Sequence, residues 1–454
     1  MKLRRQLVVA AALAVASTAG VAAPASAAAV GGGGATFLAN MMDICAAQYN
    51  RNTAFNTGSD TVTYASVGSS SGKTGFANGT YKFGGSESAY SSGAPANLVY
   101  VPLVGGPIGI GYRVDGISPA GAQVRLTGEL VAKIFAGQIT NWNDPAIAAV
   151  NKATTVAKKL KATKDGVTVS VKKVASNVQI SISMTKAAAT KYRNAKVSVT
   201  KTTLGKDTES VLSQKYTKAI SKSTPYAANT SFTVKAGKTT VGILAVEAAK
   251  DGETITFPDL TIKPVYRSGG SGTTNNFANY LNKAYPAIWT KATNDTFTTA
   301  FPGSSVPATF QSASGNEGVS NLVRDTNGGI TYAEVSYLDE RSVKAAAVQN
   351  PGGRYVAPSP TTSSLWFEGS TVAADGLVTQ DYAYTAADAY PINAISYGLA
   401  SSAASTDSAN VKRFFSYFLN QCAPKNAEGA GYTPLTGTFL AKALAQVAKL
   451  NGGA

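Results

Sequence analysis

The sequence predicts an α/β protein with a β-rich segment in its middle. The chain has 454 residues, of which 44% are hydrophobic, so it is long and apolar enough for two or three packed domains. Outside residues 151–256, strand-like patterns alternate with helical ones, which favours sheets covered by helices. Within 151–256, period-2 patterns dominate and Lys and Thr replace aromatic residues, which indicates a separate β-rich module.

The first 27 residues have the features of a secretory signal peptide. Lys2, Arg4 and Arg5 precede an apolar run, and the small residues of 25–27 predict cleavage after Ala27. A signal anchor that stays in the membrane is the alternative. No cysteine lies near the cleavage site and no later run of 18 apolar residues follows, so we expect a secreted chain with neither lipid anchor nor membrane span.

The elements before residue 151 begin with a glycine run. Gly31 to Gly34 predict a loop that is flexible or that approaches a ligand. Apolar spacing and turn residues then predict, in order, a helix over 36–50, a strand over 61–68, strands around a glycine turn over 97–114, and a helix from its cap at Thr127 to Gly137.

The remaining elements divide at the β-rich segment. Within it, alternating patterns predict strands over 166–174, 177–184, 195–201, 231–237, 239–246 and 253–257, with a helix around 208–222. After it, the patterns predict a strand over 260–267, a helix over 275–285 and two helical stretches within 396–450.

The positive charge is concentrated in one part of the chain. The formal net charge is +16, which at first suggests a nucleic-acid partner. Residues 151–260, however, hold 19 of the 41 Lys and Arg and 7 of the 25 Asp and Glu. Because the basicity belongs to this segment and not to the whole protein, we predict no nucleic-acid partner.

Several kinds of catalytic site are excluded by composition. The sequence has no histidine, which removes Ser-His-Asp catalysis and His-ligated metal sites, and its two cysteines cannot build a four-thiolate zinc site. Glu87 and Glu317 could in principle form the carboxylate pair of a glycosidase, but isolated acidic residues more often lie on solvated faces. We therefore expect neither enzyme activity nor a cofactor or metal.

Two stretches are rich in hydrogen-bond donors. Residues 267–274 lie between a predicted strand and a predicted helix, where glycines let N–H groups converge and Arg267 adds a charged fork, which suits an oxyanion. A capped loop with a surface arginine is the alternative. Residues 68–72 form a serine-rich stretch before Lys73 that is one residue too short for a P-loop, so we interpret it as an oxyanion loop or a plain turn.

The two cysteines lie in or beside helical patterns near opposite ends of the chain. Cys45 falls in the first predicted helix and Cys422 follows a late one. In an oxidising compartment the two can form a disulfide, and two buried free thiols are the alternative.

Outside the β-rich segment, a series of short motifs follows in order along the chain. The motifs are GGGATF (32–37), TYASVGSSSG (63–72), FGGSES (83–88), GGPIGIGY (105–112), LTGELVAKIFAGQITNWNDPAI (126–147), YRSGGSGTTNNFANYL (266–281), GNEGVSNLV (315–323), GGITYAEVSYL (328–338), YPINAISY (390–397) and GYTPL (431–435). In this order they resemble the PstS family, the phosphate-binding proteins of the high-affinity phosphate ABC transporter.

The resemblance implies a fold and a set of ligand-binding residues. It implies a two-lobed α/β fold of the type II periplasmic-binding-protein kind, built from 28–150 and 257–454, with 151–256 inserted and ligand held in the cleft. The implied ligand-binding residues are Thr36, Phe37 through its backbone N–H, Ser69, Arg267, Ser271, Gly272 and Thr273 as donors, with Glu87 as the acceptor of a phosphate proton.

The sequence departs from the family pattern at three places. Glu87 stands where the family usually has an aspartate, and Gly269 stands where it often has an acidic residue beside the arginine. The third departure is the insertion of residues 151–256, on which the resemblance is silent.

Together these observations predict a secreted solute-binding protein that captures inorganic phosphate or a related oxyanion for an ABC transporter permease. We expect a monomer whose residues 151–256 contact anionic cell-wall polymers or serve solubility. The alternatives are a structural or adhesive surface protein that kept the fold without transport, and a secreted hydrolase of phosphate esters.

Overall fold

A computed structural model describes residues 28–203, 208–216, 219–227, 230–251 and 254–452. The predicted signal peptide, residues 1–27, lies outside the described residues, and its cleavage stays a prediction. A helix long and apolar enough to span a membrane is not found in the described part of the chain.

The strands are numbered in chain order. They are β1 (Ala29–Gly34), β2 (Thr61–Ser66), β3 (Phe83–Ser86), β4 (Leu98–Tyr112), β5 (Arg125–Thr127), β6 (Thr154–Val156), β7 (Lys161–Lys164), β8 (Val167–Val174), β9 (Asn177–Met184), β10 (Lys196–Thr203), β11 (Thr208–Lys215), β12 (Ile220–Pro225), β13 (Thr230–Ala236), β14 (Thr239–Leu244), β15 (Ala249–Asp251), β16 (Lys263–Arg267), β17 (Gln311–Ala313), β18 (Gly329–Glu334), β19 (Lys344–Ala345), β20 (Ala347–Gln349), β21 (Tyr355–Val356), β22 (Thr371–Val372), β23 (Val378–Thr379) and β24 (Asn393–Ser401).

The helices are numbered in the same way. They are α1 (Ala39–Arg51), α2 (Ser69–Ala77), α3 (Gly128–Phe135), α4 (Pro145–Val150), α5 (Lys186–Lys191), α6 (Gly272–Ala284), α7 (Phe297–Ala300), α8 (Gly315–Asp325), α9 (Val335–Asp339), α10 (Pro360–Phe367), α11 (Thr406–Tyr417), α12 (Ala423–Asn426) and α13 (Gly437–Ala448), with a π-helical turn at Phe418–Cys422 and a 3₁₀ turn at Glu428–Ala430.

One large sheet runs through two lobes. Its order is β17-β16-β18-β4-β24-β3-β1-β2, with β19 also beside β4. The first part of β4 pairs with β24, and its last part, from Ile108 to Tyr112, pairs with β18. We call the half around β1, β2, β3 and β24 lobe 1 and the half around β16, β17 and β18 lobe 2. β4 therefore crosses from one lobe to the other, and the segment before β24 brings the chain back, with the Ile108 amide donating to the Ile392 carbonyl at 2.8 Å.

The predicted glycine turn within 97–114 is wrong, because β4 is continuous over 15 residues. Its glycines make room for side chains that pack on the strand: a Cβ at Gly105 would lie 2.6 Å from the Phe367 ring, and one at Gly109 would lie 2.8 Å from Leu338. Gly32 and Gly33 have the same role, since a Cβ at Gly32 would meet the Phe83 ring and one at Gly33 the Tyr81 ring. Residues 31–34 lie in β1 between β2 and β3 and are not a flexible loop.

Strand direction brings certain residues to the cleft. β1 pairs in parallel with β2 and β3, so these three strands end at the same edge of lobe 1. β16 pairs in parallel with β17 and β18, which end at one edge of lobe 2. In open α/β sheets, ligands bind beyond the carboxyl ends of such strands.

The predicted helices of the lobes are present. α1 and α6 overlap the predicted segments, and α3 is capped by Thr127, whose hydroxyl accepts from the Leu130 amide at 3.1 Å. Gly137, just past the end of α3, has a φ of 73°, which favours glycine. Cys45 in α1 and Cys422 in the π-helical turn are joined by a disulfide, as their positions predicted.

We call residues 151–256 the basic segment. Its strands include two four-stranded sheets, β11-β10-β13-β14 and β12-β9-β8-β7, which pack around a hydrophobic cluster of their own. The two ends of the segment meet, since the Ile255 amide donates to the Asn151 carbonyl at 2.8 Å.

Two predictions within the basic segment are wrong. In its described residues, 208–216 and 219–222, the stretch predicted as a helix instead contains β11 and the start of β12, because pairing with β10 and β9 satisfies their backbone groups within sheets. The predicted strand at 253–257 is limited, in the residues described, to a bridge between Thr256 and Ser118. The predicted strands that correspond to β8, β9, β10, β13 and β14 are confirmed.

Candidate functional site

Three predicted site residues lie at the edge of lobe 1 where its parallel strands end. Thr36 follows β1, Ser69 begins α2 after β2, and Glu87 follows β3 directly. The backbone fixes their relation, because the Ala35 amide donates to the Gly85 carbonyl at 2.9 Å. The strand order of lobe 1 therefore brings these polar side chains together.

The other predicted residues lie at the facing edge of lobe 2. Arg267 is the last residue of β16, and Ser271 is the N-cap of α6, its hydroxyl accepting from the Thr274 amide at 3.1 Å. Gly272 and Thr273 form the first turn of the helix. Since Ser271 accepts with its oxygen, its hydroxyl hydrogen is left to donate. The predicted strand, glycine turn and helix are confirmed here.

The two edges touch across the cleft. The Gly272 amide donates to the Ser69 hydroxyl at 3.0 Å, and that hydroxyl donates to Glu87 Oε2 at 3.1 Å. The Asn276 side chain donates to the Glu87 carbonyl at 2.7 Å. The site is therefore closed, and its residues are shielded from solvent.

Glu87 is a buried carboxyl with an altered affinity for protons. Its side chain accepts from Ser69 and, at 2.9 Å, from the Ser396 hydroxyl, and it is 4% exposed. Burial raises the pKa of Glu87 to about 7, although the two hydroxyl bonds and the charge of Arg267 oppose the rise. The carboxyl can therefore take up or release a proton near neutral pH.

Arg267 is a buried cation with few partners. It is 4% exposed, its Nε has no hydrogen-bond partner, and one terminal nitrogen reaches Thr273 Oγ1 only at 3.5 Å. Burial lowers the pKa of Arg267, opposed by nearby groups that include Glu87. Within the described residues Arg267 forms no salt bridge. Gly269, which stands where the PstS family often has an acidic residue, has no carboxylate to pair with it. A desolvated guanidinium with free donors favours an anion beside it.

Thr36 and Phe37 lie just before α1, at the edge of lobe 1. The Thr36 hydroxyl oxygen accepts from the backbone and side-chain amides of Asn316, at 3.1 and 2.9 Å. Tyr337 donates to the Thr36 carbonyl at 2.9 Å, and Tyr432 donates to the Phe37 carbonyl at 2.6 Å. Thr36 is thus linked to lobe 2 through Asn316, whereas Ser69 and Glu87 contact α6.

Several residues of this site were missed in the sequence. Asn316 and Ser396 lie inside motifs that carry the PstS resemblance, but their side chains were given no role. Asn316 also accepts, through Oδ1, from the amide of Glu334, a buried carboxyl whose pKa burial raises to about 8. Asn276, in α6, had no distinguishing pattern.

Other sequence hypotheses have different outcomes. Residues 69–72, predicted as a loop, form the first turn of α2. Lys73, the lysine of the near-match to a P-loop, forms an ion pair with Asp295. Glu317 is exposed and pairs with Arg341, so it does not share the environment of Glu87. No cluster of three or more potential metal-ligating side chains occurs among the residues that the structure describes.

Comparison with known proteins shows the superfamily of the chain. A sequence model described as a PBP superfamily domain matches residues 19–253 and 242–421. The phosphate-binding protein PstS of Xylella fastidiosa is 24% identical over 328 residues, which cover 72% of this chain and 58% of that protein. The phosphate-binding protein PstS 2 of Mycobacterium tuberculosis is 25% identical over 332 residues, covering 70% and 58%. The matches thus span less than two thirds of these curated relatives.

Solved structures show the fold. A high-affinity periplasmic phosphate-binding protein, PfluDING, solved with phosphate, aligns with a TM-score of 0.54 and 19% identity over 92% of this chain and 93% of that one. A human phosphate-binding apolipoprotein aligns with a TM-score of 0.53 and 18% identity over 92% and 93%. The chain therefore has the two-lobed fold of these proteins and belongs to the PBP superfamily, as its resemblance to PstS predicts.

Proposed function

We propose that this chain is a secreted solute-binding protein that captures inorganic phosphate, or a related oxyanion, between its lobes and delivers it to an ABC transporter permease. The ligand would be held by Thr36, the Phe37 amide, Ser69, Arg267, Ser271, Gly272 and Thr273, with Glu87 as the acceptor.

The observation that carries this proposal is the pairing of a buried, incompletely bonded Arg267 with donors at the N-terminus of α6. Arg267 has an unpaired Nε, and the first turn of α6 supplies hydroxyls and the positive end of the helix dipole. An oxyanion would satisfy these donors, and exclusion of water would strengthen each charge-assisted bond. The relatives compared above are named for phosphate binding.

Glu87 supports phosphate over sulfate. An ionised carboxylate accepts hydrogen bonds but cannot donate, so it favours an anion that carries a proton. Hydrogen phosphate carries one at neutral pH, and sulfate does not. The choice between the two is therefore proposed to depend on the ionisation of Glu87.

The direct experiment is calorimetry of the purified chain with phosphate, arsenate and sulfate. We expect phosphate and arsenate to bind with similar affinity and sulfate to bind more weakly. Failure of all three anions to bind at millimolar concentration would refute the proposal.

We also propose that the chain does not catalyse a reaction. A nucleophile activated by histidine is impossible in a sequence that lacks this residue. A phosphatase assay with a chromogenic phosphate ester should show no turnover above buffer. Turnover that disappears in an Arg267→Ala variant would instead support the hydrolase alternative.

For the basic segment we propose a removable module that holds the secreted monomer on anionic wall polymers. Its close ends, at Asn151 and Ile255, and its separate hydrophobic cluster support removal without loss of the lobes. Lys172 and Lys173 are among its exposed cations. A full chain and a variant lacking 153–253 should be mixed with cell walls across a salt series.

The full chain should bind the cell walls at low salt. It should detach as added salt shortens the electrostatic screening length, which is about 10 Å at 0.1 M. The variant should stay in solution throughout. Equal behaviour of the two chains would leave solubility as the role of the segment. Sedimentation of the full chain without walls should give the mass of a monomer.

A further inference from the structure

An ion pair joins the two lobes beside the closed site. Lys73 lies in α2 of lobe 1, one helical turn after Ser69. Its Nζ is 2.8 Å from Oδ2 of Asp295, which precedes α7 in lobe 2. The side chains are 12% and 13% exposed, so solvent screens this pair far less than it screens an ordinary surface pair.

Asp295 is bonded to both walls of the cleft. In lobe 1, the Ser70 hydroxyl donates to Oδ2 at 3.0 Å. In lobe 2, the Asn275 side chain donates to Oδ1 at 2.9 Å, and the Ser271 amide donates to the Asp295 carbonyl at 2.9 Å. The residue therefore connects the N-terminus of α6, where the proposed ligand donors lie, to α2.

Lys73 has a complete set of partners in the closed form. Besides Asp295, its ammonium donates to the Ser88 hydroxyl at 3.0 Å and to the Ala89 carbonyl at 3.1 Å, both just after Glu87. Burial raises the pKa of Asp295, but the charge and hydrogen bond of Lys73, together with serine hydroxyl bonds, outweigh burial and lower that pKa. Asp295 is thus ionised at neutral pH, and separation of the lobes would break its ion pair with Lys73.

The pair lies at the rim of the site and not among the proposed ligand donors. It lines a pocket of about 590 Å³ that also includes Tyr90 and Thr293. A contact at the rim forms when the lobes meet and breaks when they part. The ion pair therefore stabilises the closed state and does not affect the first encounter of the open protein with an anion.

We propose that Lys73 and Asp295 are positioning residues that form an electrostatic latch, which holds the lobes closed and slows release of the bound oxyanion. This inference rests on the proposed function for its ligand. The latch itself is a property of the lobes and can be measured without ligand.

The first test measures phosphate association and dissociation by stopped flow. K73M keeps the aliphatic stem and D295N keeps the backbone carbonyl that holds Ser271, so both remove mainly charge. Each should speed dissociation roughly 10-fold to 100-fold and leave association within about threefold. K82M is the matched control, because Lys82 pairs with Asp407 inside lobe 1 at 2.8 Å.

The double variant K73M/D295N tests whether the two side chains act through one contact. Since either change alone breaks the pair, the double variant should release phosphate no more than about twice as fast as the faster single variant. Multiplication of the two single effects would overturn the latch. Equal dissociation rates for wild type, K73M and D295N would also overturn it.

A second measurement separates failure of the latch from failure of the proposed function. Single-molecule FRET between one dye on each lobe reports the closed population of the ligand-free protein. This population should fall in K73M and D295N and stay at the wild-type value in K82M. If phosphate does not bind but the populations change in this way, the latch stands and the ligand is wrong. A wild-type closed population no larger than that of the variants overturns the latch whatever the ligand.

Discussion

Replacement of Gly272 by alanine should prevent closure of the site without unfolding the protein. A Cβ at this position would lie 2.7 Å from Ser69 Oγ and from both the amide nitrogen and Oε2 of Glu87, all in the opposite lobe. An ordinary contact begins at 3.4 Å, so the lobes would have to move apart by about 0.7 Å. The hydrogen bond from Gly272 to Ser69, now 3.0 Å, would then exceed the usual limit.

The expected loss of affinity follows from the bonds that such a separation breaks. Hydrogen bonds to charged groups contribute about 1.5–3 kcal/mol each, so loss of two weakens phosphate binding by about 3–6 kcal/mol. That corresponds to roughly 10²- to 10⁴-fold in the dissociation constant measured by calorimetry. The ligand-free variant should unfold at an unchanged denaturant midpoint, because the lobes can open and alanine suits the first turn of a helix.

Gly269→Ala is the matched control in the same loop. A Cβ there meets no atom within 4 Å, so phosphate affinity should stay at the wild-type value. A dissociation constant for Gly272→Ala within threefold of wild type would refute the reasoning, since the closed contact between the lobes would then not be the binding conformation.

The other expected outcomes concern the charged residues, the disulfide and the basic segment. Arg267→Ala should weaken phosphate binding at least 100-fold in calorimetry, because a charged donor leaves a desolvated anion, and an unchanged affinity would contradict its role. Because the pKa of Glu87 is raised to about 7, its carboxyl gains a proton to donate as pH falls from 8 to 6, and wild-type affinity for sulfate should rise over that range. The Glu87→Gln variant should bind phosphate more weakly and sulfate relatively better than wild type. Its sulfate affinity should not show this dependence on pH. Serine at Cys45 and Cys422 should lower the free energy of unfolding by about 3–5 kcal/mol in urea titrations and leave phosphate affinity intact, and free thiols in the native secreted chain would argue against the bond. A variant lacking 153–253 should still bind phosphate, and loss of its cooperative melting transition would show that the lobes need the segment.

Much of the fold could be predicted because local patterns and packing agree. Thr127 caps α3 as its side chain and the following apolar spacing indicate, and the period-2 pattern of β9 places alternate residues inside its sheet. The failures occur where packing decides. Gly31 to Gly34 have no side chain to reveal a strand, and only the rings of Phe83 over Gly32 and of Tyr81 over Gly33 explain why glycine is required at those two positions.

The candidate site was predictable in part. Glycines, hydroxyls and Arg267 between a strand and a helix indicate an anion site by their own chemistry, but the role of Glu87 came from the family resemblance alone. The contact between Ser69 and Gly272 joins residues 203 positions apart, and no local pattern encodes it. The same holds for Asp295, which lies in no recognisable motif. Its role is visible only in the structure, where it pairs with Lys73.

The position of β24 has a consequence for how the protein is made. β24 lies between β3 and β4 in the sheet, yet its residues, 393–401, come about 300 positions after those strands. Lobe 1 therefore cannot complete its sheet until residues 393–401 have been synthesised. Until then β3 and β4 each keep an unpaired edge that invites association with other chains. A chain that stops before residue 393 should aggregate. A variant lacking 153–253 should not, because it still contains β24, which covers the edges of β3 and β4.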